Sequence, residues 1–225
     1  LQQNSEDILS QDILSIIMNP LEKAILVSLY VSSLDPTVQA YDRINSRVSI
    51  DQEIYNLKIR KLVEHGLVEK KDPSRLTFIG RDALKVVLVG GVFDLIHPGH
   101  IHTLKAAKAQ GDVLVVVIAR TATAIKIKKD RKIFHEENLR KELVSSLSFV
   151  DLAIIGKEGT LYETVEYVKP DIIALGYDQA HSEKEIAENC QRRNLNLRII
   201  RLNTPVPKTK SSTIKDELGE QFYGI

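Results

Sequence analysis

The chain has 225 residues, with 31 Lys+Arg against 30 Asp+Glu, six His, one Cys and 43% hydrophobic residues. This length allows one large domain or two small ones, and the composition excludes a disordered or collagen-like chain. A net charge of +1 argues against a protein that mainly coats nucleic acid, the single Cys190 points to a reducing cytoplasm, and no apolar run approaches the roughly 20 residues of a membrane span.

No charged-then-apolar signal stands at the start, and with Leu1 in first place an initiator Met or short leader is expected ahead of it. Apolar residues first recur at helical spacing: Ile8, Leu9, Ile13, Leu14 and Ile17, then Leu21, Ala24, Ile25 and Leu29. Ser49 and Gln52 read as a capping-box start to a helix running to about His65, with Ile54, Leu57, Leu62 and Val63 as its apolar face. Gly66 suits the position just past its end. Residues 67–71 and 76–79 then read as two short strands around the turn Asp72-Pro73-Ser74.

Helices followed by a two-stranded wing resemble a winged helix-turn-helix domain, here over residues 1–83, and that resemblance speaks to fold rather than function. Residues 1–84 hold ten Lys+Arg and twelve Asp+Glu, a net of −2 that opposes the electrostatic term dominating DNA affinity. DNA is therefore a candidate partner of this half, with Lys58, Arg60 and Lys61 as its contacts, but it ranks behind a dimerising or regulatory role.

The texture changes near residue 84. Val/Ile-rich runs at 85–89, 113–119, 152–155, 171–175 and 197–202 alternate with helical segments. Continuous β-branched runs are what strands buried on both faces look like, and helical spacers imply right-handed parallel crossovers. The expected fold over residues 84–225 is α/β: a Rossmann-like open parallel sheet of five strands.

One segment carries chemistry: a strand, the pair Gly90-Gly91, a tight loop, and a helix starting at Pro98 and closing at Gly111. Pro is favoured at the first helical position. The backbone N–H groups of Gly91, Val92 and Phe93 and the helix N-terminus converge at the carboxyl end of the first strand, where open α/β sheets bind ligands and helix starts favour anions. His97 and His100 are three apart, so both imidazoles can face one anion, and Gly99 between them allows close approach. Ordinary capping histidines are the plainer alternative. A metal pair completed by His102 is another, but no Cys or carboxylate cluster accompanies it, so no protein metal site is expected.

The string GGVFDLIHPGH resembles the GxFDxxHxGH motif of the cytidylyltransferase-like nucleotidyltransferases, and the resemblance continues over about residues 85–218. "ARTATAIKIKKDRKI" is similar to the family's Lys-bearing segment. "ENLRKELVSSLSFVDLAIIG" is similar to a helix–strand unit with Arg140 and Asp151. "KPDIIALGYDQ" resembles the fourth strand and its substrate loop, and "KSSTIKDEL" a Ser/Thr-rich helix start.

The resemblance implies transfer of a nucleotidyl group from a nucleoside triphosphate to a phosphorylated acceptor, with release of pyrophosphate. His97 and His100 would donate to the α-phosphate and the leaving oxygen, with Lys126, Lys128 and Arg140 as further catalytic cations. Ser211, Ser212 and Thr213 would join Gly91, Val92, Phe93 and Gly99 on the nucleotide, although capping alone accounts for such residues at a helix start. Asp94, Asp178 and Gln179 would face the acceptor, although Gly-X-Asp after a strand is also a good turn. Mg²⁺ would be carried by the triphosphate.

Asp178-Gln179 after Leu-Gly resembles the archaeal FAD synthetases, so the leading reading is ATP plus FMN giving FAD. A CTP-dependent glycerol-3-phosphate or other phospho-alcohol cytidylyltransferase is the runner-up, and a ligand-sensing DNA-binding regulator is the alternative of another class. Family members often dimerise through the sheet domain, which implies a homodimer; the single Cys and the short apolar runs make the cytoplasm, with no membrane contact, its expected setting.

Overall fold

Asn19 opens the first helix, α1 (Pro20–Leu34), with a reciprocal capping box in which its side chain accepts from the Glu22 N–H and Glu22 reaches back. The computed structural model describes residues 18–128, 133–177 and 182–203; the periodic run from Ile8 to Ile17 lies outside them. The described structure divides into two compact units, Leu1–Lys85 and Val86–Ile225.

In the first unit every residue of α1 from Ile25 to Val31 is buried. A helix apolar all round belongs in the middle of its core. Two helices follow, α2 (Ala40–Val48) and α3 (Gln52–Glu64). The expected capping box at Ser49 does not form. Ser49 instead ends α2 in the left-handed conformation, at φ 49°, and Asp51 caps α3 by accepting from the Glu53 N–H at 2.7 Å.

The apolar face of α3 is also rotated from its expected place. Tyr55, Ile59 and Leu62 are buried, while Ile54 and Leu57 are 48% and 46% exposed. Both stripes satisfy helical spacing, and contact with α1 selects the one containing Tyr55. Gly66 takes φ 71° just past the helix, as its position implied.

The two expected strands reduce to a single antiparallel bridge, Val68↔Leu76, around a turn in which the Asp72 carboxylate accepts from the Ser74 N–H at 3.1 Å. The second strand is pre-empted by Thr77, whose hydroxyl accepts from the Gly80 N–H and starts the short helix α4 (Phe78–Asp82). A Cβ at Gly80 would lie 1.8 Å from the Leu67 carbonyl oxygen, a backbone atom that cannot swing away. Gly80→Ala is expected to destabilise this unit by about 2–3 kcal/mol, read as a lowered urea midpoint; an unchanged midpoint would contradict this close packing.

The second unit is a five-stranded parallel sheet: β1 (Val86–Gly91), β2 (Val113–Ile118), β3 (Leu152–Ile155), β4 (Ile172–Leu175) and β5 (Arg198–Arg201), in the order β3-β2-β1-β4-β5. The crossovers contain α5 (Pro98–Lys108), α6 (Thr121–Lys128), α7 (Glu137–Ser145), α8 (Leu161–Val168) and α9 (Glu183–Arg192). Helix α5 ends on Ala109 rather than on the expected Gly111, because Ala109 remains right-handed and its N–H reaches back to the Lys105 carbonyl.

Val86, Val87, Leu88 and every residue of β2 are buried, as strands covered on both faces must be. On one face Val87, Val89, Leu114, Val116 and Ile118 pack with Leu104 and Ala107 of α5 and Val144 of α7. Burying one such side chain stabilises by about 1.5–3 kcal/mol, so this cluster outweighs any single polar contact.

Carboxylates fix the amino edge of the sheet. Asp171 accepts from the Val86 N–H at 2.6 Å, and Asp151 accepts from the Leu114 N–H at 2.9 Å while pairing with Lys108. This leaves the opposite, carboxyl edge to the loops. Chain direction across the sheet reverses between β1 and β4, and these strands pair only at Val87↔Ile172 and Leu88↔Ile173. A crevice at such a reversal is the usual ligand site of an open α/β sheet.

Candidate active site

β1 delivers Gly91 to that carboxyl edge, where its carbonyl accepts from the Ala119 N–H at 2.8 Å. The chain then turns sharply. Phe93 takes φ 53°, uncommon for a residue with a side chain, and its ring is buried. A Cβ at Gly91 would meet that ring at 2.6 Å, so the glycine makes room for Phe93.

His97 is the N-cap residue of α5 with extended backbone and Pro98 follows at the first helical position, but the His97 side chain makes no capping bond. The plainer reading of His97 as a capping histidine therefore fails. Its ring instead stacks on His100, with centroids 3.9 Å apart and 33° between planes, and Phe93 supports His100 at 5.3 Å. The Nδ1 atoms of both rings are buried. Gly99, between them in sequence, is buried in the first turn of the helix. Two adjacent imidazoles at a helix N-terminus can donate together to one anionic group.

A cavity of about 500 Å³ opens beside His97, lined also by Ile96, Pro98, Ile101, His102 and Lys105. Neither His100 nor Phe93 lines it. Among the described residues, no three His, Cys, Asp or Glu side chains are grouped to hold a metal ion.

Two residues expected at the ligand are buried and bonded to the backbone. Arg140 is fully buried on α7, one turn from Val144. Its Nε donates to the His135 carbonyl at 2.9 Å. Its Nη1 donates to the carbonyls of Val92 at 2.7 Å and Ala119 at 2.8 Å, and its Nη2 to the Thr121 hydroxyl at 3.3 Å. Burial pulls the guanidinium below its ordinary pKa, and nearby Asp94 and Glu137 oppose that shift. The guanidinium is thus used to join the loop after β1 to the end of β2.

Asp94 is likewise buried, and its carboxylate accepts from the backbone N–H groups of Phe134 and His135, each at 3.0 Å. It holds the segment leading into α7.

Lys126 is exposed on α6, and Lys128 ends that helix. Asp178, Gln179, Ser211, Ser212 and Thr213 lie outside the described residues. Sequence reasoning missed Arg120, His135 and Glu137. The Arg120 Nε donates to the Gly156 carbonyl at 2.9 Å, and His135 Nδ1 lies 2.9 Å from the Asp94 carbonyl oxygen. No local pattern marks them, because their partners are distant in the chain.

This geometry has relatives. The family model described as cytidylyltransferase-like matches residues 88–217. An FAD synthase of Aciduliprofundum boonei is 47% identical over 116 residues, covering 52% of this chain and 76% of that protein. One from Picrophilus torridus is 46% identical over 127 residues, covering 56% and 90%. A crystal structure described as a lipopolysaccharide core biosynthesis protein, from Thermoplasma volcanium, superposes with a TM-score of 0.51 at 44% identity, covering 54% of this chain and 98% of that one. The stacked histidines thus sit inside a match that runs through nearly all of the sheet unit, and the chain belongs to the cytidylyltransferase-like family of nucleotidyltransferases.

Proposed function

We propose that this nucleotidyltransferase joins ATP to FMN, giving FAD and pyrophosphate. The observation that carries this reading is the stacked His97–His100 pair at the start of α5, in a sheet unit 40–47% identical to proteins named FAD synthase. An oxygen of the FMN phosphate attacks the α-phosphorus of ATP in line. A new P–O bond forms, the bond from the α-phosphorus to the bridging oxygen breaks, and pyrophosphate leaves with that electron pair.

No covalent enzyme intermediate is required, so catalysis consists of positioning and of stabilising spreading negative charge. His97 and His100 donate to the α-phosphate and leaving oxygen, and Lys126 and Lys128 neutralise phosphate charge. Backbone N–H groups of Gly91, Val92 and Phe93, with Gly99, receive the nucleotide together with Ser211, Ser212 and Thr213. Asp178 and Gln179 orient the acceptor. Arg140 and Asp94 act as positioning residues beneath the loops. No residue of the chain is assigned to hold Mg²⁺, which would be carried by the triphosphate and would supply charge balance to its oxygens.

For the first unit we favour a dimerising or regulatory role in a cytoplasmic homodimer over DNA reading, because the outer side of α3 exposes apolar Ile54 and Leu57 beside Arg60 and Lys61. Among the described residues no helix is long and apolar enough to cross a membrane.

The test is pyrophosphate release with Mg²⁺, crossing ATP and CTP against FMN and glycerol 3-phosphate. Release is expected with ATP and FMN alone. Release with CTP and glycerol 3-phosphate would keep the mechanism and replace the acceptor, and silence throughout would remove both substrate readings.

A further inference from the structure

Helix α6 carries Lys126, and its described side chains give it little apolar packing. Of residues 121–126 only Ala124 is buried, and Ile125 is 55% exposed. The helix spans eight residues, far too short to be stable by itself. Its first N–H groups also lack carbonyl partners within the helix, and Arg120, immediately before it, has a side chain that can only donate.

The partner comes from another helix. The Thr121 N–H donates to Oε2 of Glu137, the first residue of α7, at 2.5 Å across 16 residues of chain. The other Glu137 oxygen lies 3.8 Å from Arg120 Nη1. Hydrogen bonds from the Thr121 backbone and then its side chain hold the Glu137 carboxyl below its ordinary range, with Arg120 and Arg140 adding to the effect. A carboxylate at a helix N-terminus is also favoured by the helix dipole.

We propose that Glu137 is a positioning residue for nucleotidyl transfer: it caps α6 from outside and so sets where Lys126 stands at the carboxyl edge of the sheet. Arg120 and Arg140 brace the same junction, the first through the Gly156 carbonyl at the end of β3 and the second through the Thr121 hydroxyl. The start of α6 is therefore fixed by polar contacts where apolar packing is sparse. The inference rests on the reading of Lys126 as a phosphate-neutralising cation.

Three variants test it: Glu137→Ala, Glu137→Gln and Lys126→Ala. Glu137→Ala is expected to raise the KM for ATP about tenfold, with a smaller fall in kcat, and to speed hydrogen exchange at the α6 amides while β1 and β2 stay protected. Glu137→Gln keeps an acceptor oxygen in place and should recover most of the loss. Because Glu137 acts through Lys126, adding Glu137→Ala to Lys126→Ala should cost less than about twofold more.

Unchanged exchange in Glu137→Ala overturns the cap. Penalties that multiply fully in the double variant overturn the route through Lys126. Faster exchange beside a Lys126→Ala variant of normal activity overturns the role of Lys126 and leaves the cap itself standing.

Discussion

His100→Ala will lower kcat by about 100-fold or more while leaving thermal stability close to that of the parent protein. The size of the effect follows from what the ring does. It forms half of a stacked pair at 3.9 Å at the helix start, where the proposed chemistry brings the phosphate charge. Charge that develops only in the transition state is stabilised by donors already in place, so loss of one donor appears in kcat more than in KM. Stability should change little, because His100 is only partly buried, at the start of its helix, with its ring against His97 and Phe93. Pyrophosphate release with ATP and FMN, beside a thermal melt, reads both quantities. Normal turnover would remove His100 from the chemistry, and a collapsed melt would make it a core residue.

Arg140→Ala should behave in the opposite way, losing about 3–5 kcal/mol of stability. The guanidinium is fully buried and satisfies the carbonyls of Val92, Ala119 and His135. Its removal leaves three acceptors in a site that a single methyl cannot fill, and buried acceptors stripped of their donor cost the full desolvation penalty. A drop in Tm on the order of 10 °C or more is expected, with activity lost because the loop from β1 is released. Arg140→Lys should recover little, since a point charge cannot reproduce a planar fork reaching several carbonyls. A variant that melts normally yet fails to turn over would return Arg140 to direct contact with phosphate.

These two residues show which parts of the site could be read from the chain. The His97–His100 pair was legible because its signals are local: a β-branched strand, two glycines, a proline at the helix start and a spacing of three. Arg140 was equally visible, but its direction was not. Helical spacing puts it on one face with Val144, and only the packed sheet makes that face the inner one. The same ambiguity displaced the apolar face of α3, where Ile54 and Leu57 have as good a period as Tyr55, Ile59 and Leu62. Competing turn chemistry explains the missing second strand, since Thr77 can extend a strand or cap a helix and here caps α4.

The parallel α/β sheet unit and the glycine-to-histidine loop at its first strand were legible in the chain alone. Continuous Val/Ile runs, helical spacers and turn residues act over a few positions and do not depend on what lies opposite. That Arg140 donates to the Val92 and Ala119 carbonyls, that Asp94 holds residues 134 and 135, and that Glu137 accepts from the Thr121 N–H became legible only in the packed fold. Each of those bonds joins groups between 16 and 48 residues apart in the chain. A buried donor takes whichever carbonyl the closed fold leaves without a partner, and that accounting exists only once the sheet has formed.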